Sequence, residues 1–345
     1  MITAIAVIFS LSILILIHEL GHFFMAKKFG IFVEEFGIGM PPRIYGKKKG
    51  ETVYSVNALP IGGFVKIAGE NREEDGSAGL PPDRIFYNLK IWKRILILLG
   101  GVVMNFLLGW VLVSVIFYFG IPQAVIITDV QADSPAGQAG IMANDRVLGF
   151  NTVDEFIGFV GQHKGEKITV KVDRFGEERD FELIPRQNPP QDEGPLGVAL
   201  VDAGQEKMGF FNSVTEGLKS SARIFAAVFT GIFNLIKTAV LGKASLEGIA
   251  GPVGIVKVTA QATQMGIIYL LQIVALISIN LAALNVFPFP ALDGGRILFL
   301  LVEKIKGSPL PKKFEQYANA VGFALLIILM LIITFKDVFR LFKPV

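Results

Sequence analysis

Between Lys257 and Asp293, and again from Met1 to Ile17, the chain carries no charged residue. Apolar runs of that length restrict the fold severely. A backbone in lipid must satisfy its own polar groups, which leaves helices or closed barrels. Helices fit these runs, since about 20 apolar residues span a bilayer. With 18% charged residues and a mean hydropathy of +0.55, a membrane protein is expected rather than a soluble domain. The net charge of +3 is too small to argue for nucleic acid, so the lysines and arginines read as topology signals.

Four spans are expected, at about 1–26, 95–119, 267–286 and 318–335. A secretory signal peptide would need a basic start and a small-residue cleavage site, and neither is evident here. Lys27, Lys28, Lys47, Lys48, Lys49, Lys93 and Arg94 mark one cytoplasmic loop, and Arg296, Lys304, Lys306, Lys312 and Lys313 mark another. Residues 120–264 and both termini then lie on the opposite side. From Phe210 to Leu241 the apolar stretch is closely bracketed by Lys219, Arg223 and Lys237. It reads as an amphipathic helix lying on the membrane surface, with a fifth span as the alternative.

At the end of the first span stands His18-Glu19-Leu20-Gly21-His22. Residues four apart share a helix face, so two imidazoles can converge on one metal ion. Glu19 can take a proton from a metal-bound water without being a ligand. The competing reading is a pair of helix histidines satisfied by local hydrogen bonds. The third histidine, His163, sits in a polar stretch and reads as a surface residue. Because the chain has no cysteine, zinc would have to use His, Asp or Glu. A catalytic zinc needs a third protein ligand and an open position. Asp293 is the candidate, in a segment where Pro288, Pro290, Gly294 and Gly295 interrupt the helix of the third span. A carboxylate at membrane depth costs about 2.5–3.5 kcal/mol on insertion scales and calls for a partner. Asp293 could instead be a helix cap or turn residue.

These residues resemble the site-2 proteases, the bacterial intramembrane zinc metalloproteases of the regulator of sigma-E protease type, over nearly the whole chain. His18, Glu19 and His22 match the family's HExxH, and Leu292-Asp293-Gly294 matches its LDG motif. The resemblance implies that His18, His22 and Asp293 bind Zn2+ while Glu19 acts as general base. Gly101-Val102-Val103-Met104-Asn105 resembles the family's GxxxN motif, and Asn285 matches an asparagine that contacts the substrate backbone. Asn280 could hydrogen-bond another helix. Val53–Val56 and Gly62–Ile67 read as short extended pieces. In the family this region is a membrane-associated β-hairpin, so Gly62, Gly63 and Phe64 join Asn105 and Asn285 as substrate-binding candidates. Strand addition there would replace the backbone bonds of an unwound substrate helix. An ordinary structural hairpin is equally compatible with the local sequence.

Alternating runs at Val125–Val130, Lys167–Val172 and Arg179–Ile184 read as strands. Ser134–Ile141, Asn144–Leu148 and Gly194–Val198 resemble a single, circularly permuted PDZ domain. It departs from its relatives in having Asn144 where most have Gly, and in lacking a Gly soon after Asn151. The expected architecture is a polytopic α-helical membrane protein with four transmembrane helices, a β-hairpin and an inserted α+β PDZ domain. Its parts are a first membrane half at 1–121 (hairpin about 31–68), the extracytoplasmic PDZ domain at 122–203, an amphipathic connection at 204–264 and a second membrane half at 265–345. The resemblance implies a bacterial inner-membrane endopeptidase. It would act in the bilayer on single-span proteins, such as anti-sigma factors or signal-peptide remnants, after a first cut elsewhere. The alternatives are a catalytically silent scaffold binding extracytoplasmic tails through the PDZ domain, and a transporter that uses His and Asp for ion coupling.

Overall fold

The structure, a computed structural model, describes residues 2–70, 79–174, 176–190, 193–242 and 250–342. Helix α1 (Ile2–Lys28) leads into strands β1 (Val33–Lys49) and β2 (Thr52–Ile67), and helix α2 (Ile91–Phe119) follows two short 3-10 turns. The chain then forms β3 (Ile121–Val130), α3 (Pro135–Ala139), β4 (Arg146–Val147), α4 (Val153–Gln162), β5 (Ile168–Arg174), β6 (Glu177–Leu183) and β7 (Val198–Gln205). Helices α5 (Phe210–Val240), α6 (Pro252–Met265), α7 (Ile267–Val286), α8 (Asp293–Lys306) and α9 (Lys312–Phe342) complete it. Two compact units result, one from Met1–Ser114, Val214–Thr263 and Tyr269–Val345, the other from Val115–Ser213 and Gln264–Ile268.

Among the described residues, five helices are long and apolar enough to cross a membrane, within α1, α2, α5, α7 and α9. Four of them coincide with the expected spans. The additional one is α5, which packs against α2. Trp110 Nε1 donates to the Val214 carbonyl at 2.9 Å, a Cβ on Gly217 would run into Ser114, and Phe106 meets Phe225 at 5.8 Å between ring centres. Thus α5 runs antiparallel along α2 over two turns, and Phe229 then reaches Phe287 at the end of α7. The face that α5 turns to α2 carries the small buried residues Ser213, Gly217 and Ser221, while Leu218, Phe233 and Ile236 stay exposed.

Helices α1 and α2 cross at glycines. A Cβ on Gly21 would overlap the Gly100 carbonyl, and one on Gly100 would lie 2.8 Å from the Gly21 carbonyl carbon. Small residues at such a crossing let backbones approach closely where no hydrophobic driving force separates helix from lipid. Below the crossing, Phe23, Ala26, Ile31, Val33, Ile67, Phe86, Ile97, Leu98 and Leu300 form one buried cluster. It joins the end of α1, the root of the hairpin, the start of α2 and the middle of α8.

The hairpin is more extensive than two short extended pieces. Residues Glu35–Ile38 of β1 stand opposite both Gly63–Lys66 and Val53–Val56 of β2, so the sheet folds back over itself. The turn at Gly50-Glu51 is fixed to the membrane core by charge: Glu51 accepts from Lys27 at 2.7 Å and from Arg84 at 2.6 Å. The two hydrogen bonds hold the Glu51 carboxyl below its ordinary range.

In the second unit, five antiparallel strands lie in the order β6-β5-β4-β3-β7. Val125, Ile127, Val147, Val170 and Val172 point into a core closed by Phe156 and Val160 of α4. Ser134 caps α3 by accepting from Gly137 N–H at 3.1 Å, and Gly140 ends it in the left-handed conformation at φ 89°. Arg174 makes hydrogen bonds of 2.7 Å to both carboxyl oxygens of buried Asp145, which raise the guanidinium pKa further.

Because a side chain at Gly21 must push α1 away from Gly100, Gly21→Val should destabilise the unit by about 1–3 kcal/mol, as overpacking typically does. Thermal unfolding in detergent checks this; an unchanged midpoint would mean that the helices do not approach so closely.

Candidate metal centre

The helical period brings His18 and His22 to one face of α1, their Nε2 atoms 3.1 Å apart. Asp293 arrives from the distant break between α7 and α8. Pro288 and Pro290 interrupt the helix, Ala291 takes a left-handed φ of 77°, and α8 restarts at Asp293. Leu292, not Asp293, occupies the N-cap position, and no side chain caps the helix there. Asp293 instead sends Oδ2 to 3.1 Å from His18 Nε2 and 3.4 Å from His22 Nε2. Those three residues are the only group of this kind among the described residues.

The hydrogen bonds around the imidazoles fix what they can do. His22 Nδ1 lies 2.9 Å from the Ile97 carbonyl oxygen. A carbonyl only accepts, so Nδ1 carries the proton and Nε2 presents a bare lone pair. Asp293 Oδ2 is buried with no hydrogen-bond partner. With His22 neutral, its Nε2 and Asp293 Oδ2 are two acceptors 3.4 Å apart, with His18 Nε2 beside them, an arrangement that a cation among them would relieve. Separations of 3.1, 3.1 and 3.4 Å also match the edge of a zinc tetrahedron, about 3.3 Å for bonds of about 2.0–2.1 Å. The residues fit zinc, and three ligands leave a fourth position open.

Other expected site residues surround this group. The side-chain nitrogens of Asn105 and Asn285 each lie 3.4 Å from His18 Nδ1. A half-turn of the Asn105 amide would bring its Oδ1, buried and without a partner, towards His18 Nδ1–H. That acceptor would leave His18 Nε2 free for metal. Ser278 donates to the Asn105 carbonyl at 2.7 Å and so ties α7 to α2. A Cβ on Gly101 would lie 2.6 Å from His22 Nε2, so only glycine leaves the imidazoles their space. Asn280 makes no such contact here, and its Oδ1 is buried without a hydrogen-bond partner. His163 caps the end of α4, far along the chain, with Nδ1 donating to the Phe159 carbonyl at 2.8 Å.

Glu19 stands one residue round the helix from His18 and is outside the converging group. Its Oε2 accepts from Val65 N–H at 3.2 Å, which fixes the carboxylate beside strand β2. Just before it in β2, Gly62 and Gly63 are buried against Ile15 and Leu16 of α1, and Gly62 N–H lies 3.3 Å from Ser12 Oγ. Gly63 and Phe64 pair with Ile38 and Gly37 on their other side. The Ile97 carbonyl and the Val65 N–H are absent from the sequence reading because backbone groups have no residue signature.

A model of peptidase family M50 matches residues 6–329. A Clostridium acetobutylicum protein named for zinc metalloprotease activity is 35% identical over 341 residues, with 96% of each chain covered. A similarly named protein of Clostridium perfringens is 36% identical over 95% of this chain and 96% of its own length. Zinc metalloprotease RasP of Shouchella clausii is 29% identical over 99% of this chain and 100% of its own.

Since a side chain at Gly101 must displace an imidazole, Gly101→Leu should weaken zinc binding by at least roughly tenfold, the lower end of the cost of disturbing ligand orientation. Metal analysis after dialysis against a graded chelator series reads this directly. Retention equal to wild type would show that Gly101 does not border the metal.

Proposed function

The chain belongs to peptidase family M50, and from that membership we propose that this zinc metalloprotease cuts peptide bonds within the transmembrane segments of single-span membrane proteins, after a first cut has removed their outer part. The observation that carries the reading is the meeting of three potential metal-ligand atoms, two of them on α1, a helix apolar enough for lipid, and one at the start of α8. His18, His22 and Asp293 hold the metal. Zinc supplies a Lewis acid for the scissile carbonyl and lowers the pKa of its water towards about 7. Glu19, next to this group but not part of it, takes the proton on its carboxylate and passes it to the leaving amine.

A peptide bond inside a helix is shielded by its own hydrogen bonds, so the substrate must unwind locally. Gly62, Gly63 and Phe64 offer it a strand beside Glu19, and Asn105 and Asn285 offer amides beside His18. Both asparagines lie within reach of His18, which supports a second role in keeping that imidazole oriented. The break between α7 and α8 serves the same chemistry: irregular backbone at membrane depth is tolerated where protein or a water-filled cavity covers it.

In this reading α1, α2, α7 and α9 cross a bacterial inner membrane, with both basic loops in the cytoplasm. Helix α5 accompanies α2. The unit centred on β3–β7 is a PDZ domain outside the cytoplasm, and its five-stranded sheet with two helices supports that assignment. It acts as a filter, excluding substrates whose bulky outer domain is still attached.

The test is cleavage of a single transmembrane helix, its outer domain removed, by purified protein and by Glu19→Gln. The variant should keep its zinc and lose about 10²–10⁴-fold in rate, the usual contribution of a general base. Equal turnover by both proteins would remove Glu19 from the chemistry. Bound zinc with no cleavage of any such helix by wild type would argue against an intramembrane substrate, and a scaffold predicts that outcome.

A further inference from the structure

Asp293 sits at the start of a helix that the end of α7 touches only through the tight turn at Gly294 and Gly295. The link from α7 to α8 is irregular, with Ala291 in a left-handed conformation, so the direction of α7 does not dictate that of α8. Other elements hold the rest of α8. Leu300 packs in the buried cluster with Ile31, Val33, Ile67 and Ile97. Glu303, near its C-terminal end, pairs with Arg94 of α2 at 3.1 Å, the two side chains only 12% and 8% exposed. Arg296, one turn from Asp293, pairs with Glu70.

Glu70 follows directly from β2. Its N–H donates to the Ile67 carbonyl at 3.1 Å, and the same segment is held when Ala68 N–H donates to Phe32 and Phe86 N–H donates to Ala68. Two residues before the end of that strand, the Val65 N–H holds Glu19. The last part of β2 and the turn after it therefore carry the mounts of two site residues that are far apart in sequence.

We propose that Glu70 and Arg296 are positioning residues of the metal centre: their ion pair sets the N-terminal turn of α8 so that Asp293 Oδ2 meets the two histidine nitrogens. This rests on the reading of His18, His22 and Asp293 as the zinc ligands. A metal site tolerates ligand displacements of only about 0.2 Å, and hydrogen-bonded partners that orient ligands are typically worth 10–100-fold in metal affinity. A pair that only held α8 in place would contribute stability without tuning the metal.

The experiment measures zinc affinity of the purified full-length protein by competition with a chromophoric chelator, alongside the melting temperature of the metal-free form. The variants are Asp293→Asn, Glu70→Gln, Arg296→Met and Arg296→Lys, with Glu182→Gln as a control from the exposed Lys167–Glu182 pair. Glu70→Gln and Arg296→Met should each bind zinc about 10–100-fold more weakly. Arg296→Lys, which keeps a cation, should recover part of that loss, and Glu182→Gln should match wild type. If Asp293→Asn loses zinc while Glu70→Gln and Arg296→Met keep wild-type affinity, the positioning role is wrong and the ligand set stands. A lowered metal-free melting temperature with unchanged affinity overturns it equally. If Asp293→Asn also binds as wild type, the ligand set itself fails, and the proposal with it.

Discussion

Three potential ligand atoms, His18 Nε2, His22 Nε2 and Asp293 Oδ2, brought within 3.1–3.4 Å of one another are the constraint around which the membrane unit is arranged. His22 Nδ1 is committed to the Ile97 carbonyl, which in the neutral ring turns the Nε2 lone pair towards the buried Asp293 Oδ2. Leaving such a group dry and uncompensated would cost several kcal/mol, and a divalent cation removes the cost. Meeting the constraint needs three helices in contact at one level. The Gly21–Gly100 crossing brings α2 close enough for its Ile97 carbonyl to reach His22, and Gly101 leaves room for both rings.

The third arm depends on a deliberate interruption. Continuing α7 as a helix would carry residue 293 past the histidines. Pro288 and Pro290 stop it, and Gly294 and Gly295 let the chain fold tightly back, since a Cβ on either would overlap carbonyls of Val286, Phe287 or Phe289. The exposed backbone is covered from α9, where Asn319 Oδ1 accepts from Ala291 N–H at 3.0 Å and Gly322 packs against Pro290. Orienting α8 is then left to side chains, which explains why charged groups of opposite sign from α2 and the end of β2 meet it at both ends.

Much of this was legible in sequence because the strongest signals are local. The 3.6-residue period sets His18 and His22 together, and charge-free runs mark α1, α2, α7 and α9. The partnership of Asp293 with the histidines came from a motif resemblance, since nothing in the physics of two segments so far apart requires them to touch. The full hairpin was hidden because Glu34, Glu35, Arg43 and Lys47–Lys49 blur the alternation of β1, and because Pro41, Pro42 and Pro60 look like strand breakers. Here they mark places where long strands bend. Helix α5 stays open in the sequence between a surface helix and a fifth span for a different reason: periodicity shows an apolar face but does not say what covers it, and contacts with α2 such as Phe106–Phe225 leave no residue signature. Backbone partners such as the Ile97 carbonyl and the Val65 N–H leave no trace in residue identity.

The most direct test of the account is X-ray absorption at the zinc edge of the purified protein. The geometry predicts one zinc per chain, bound by two imidazoles and by oxygen donors at about 2.0–2.2 Å. A spectrum with fewer than two imidazoles, or a chain that retains no zinc, would contradict the assignment of His18, His22 and Asp293 as the metal's ligands.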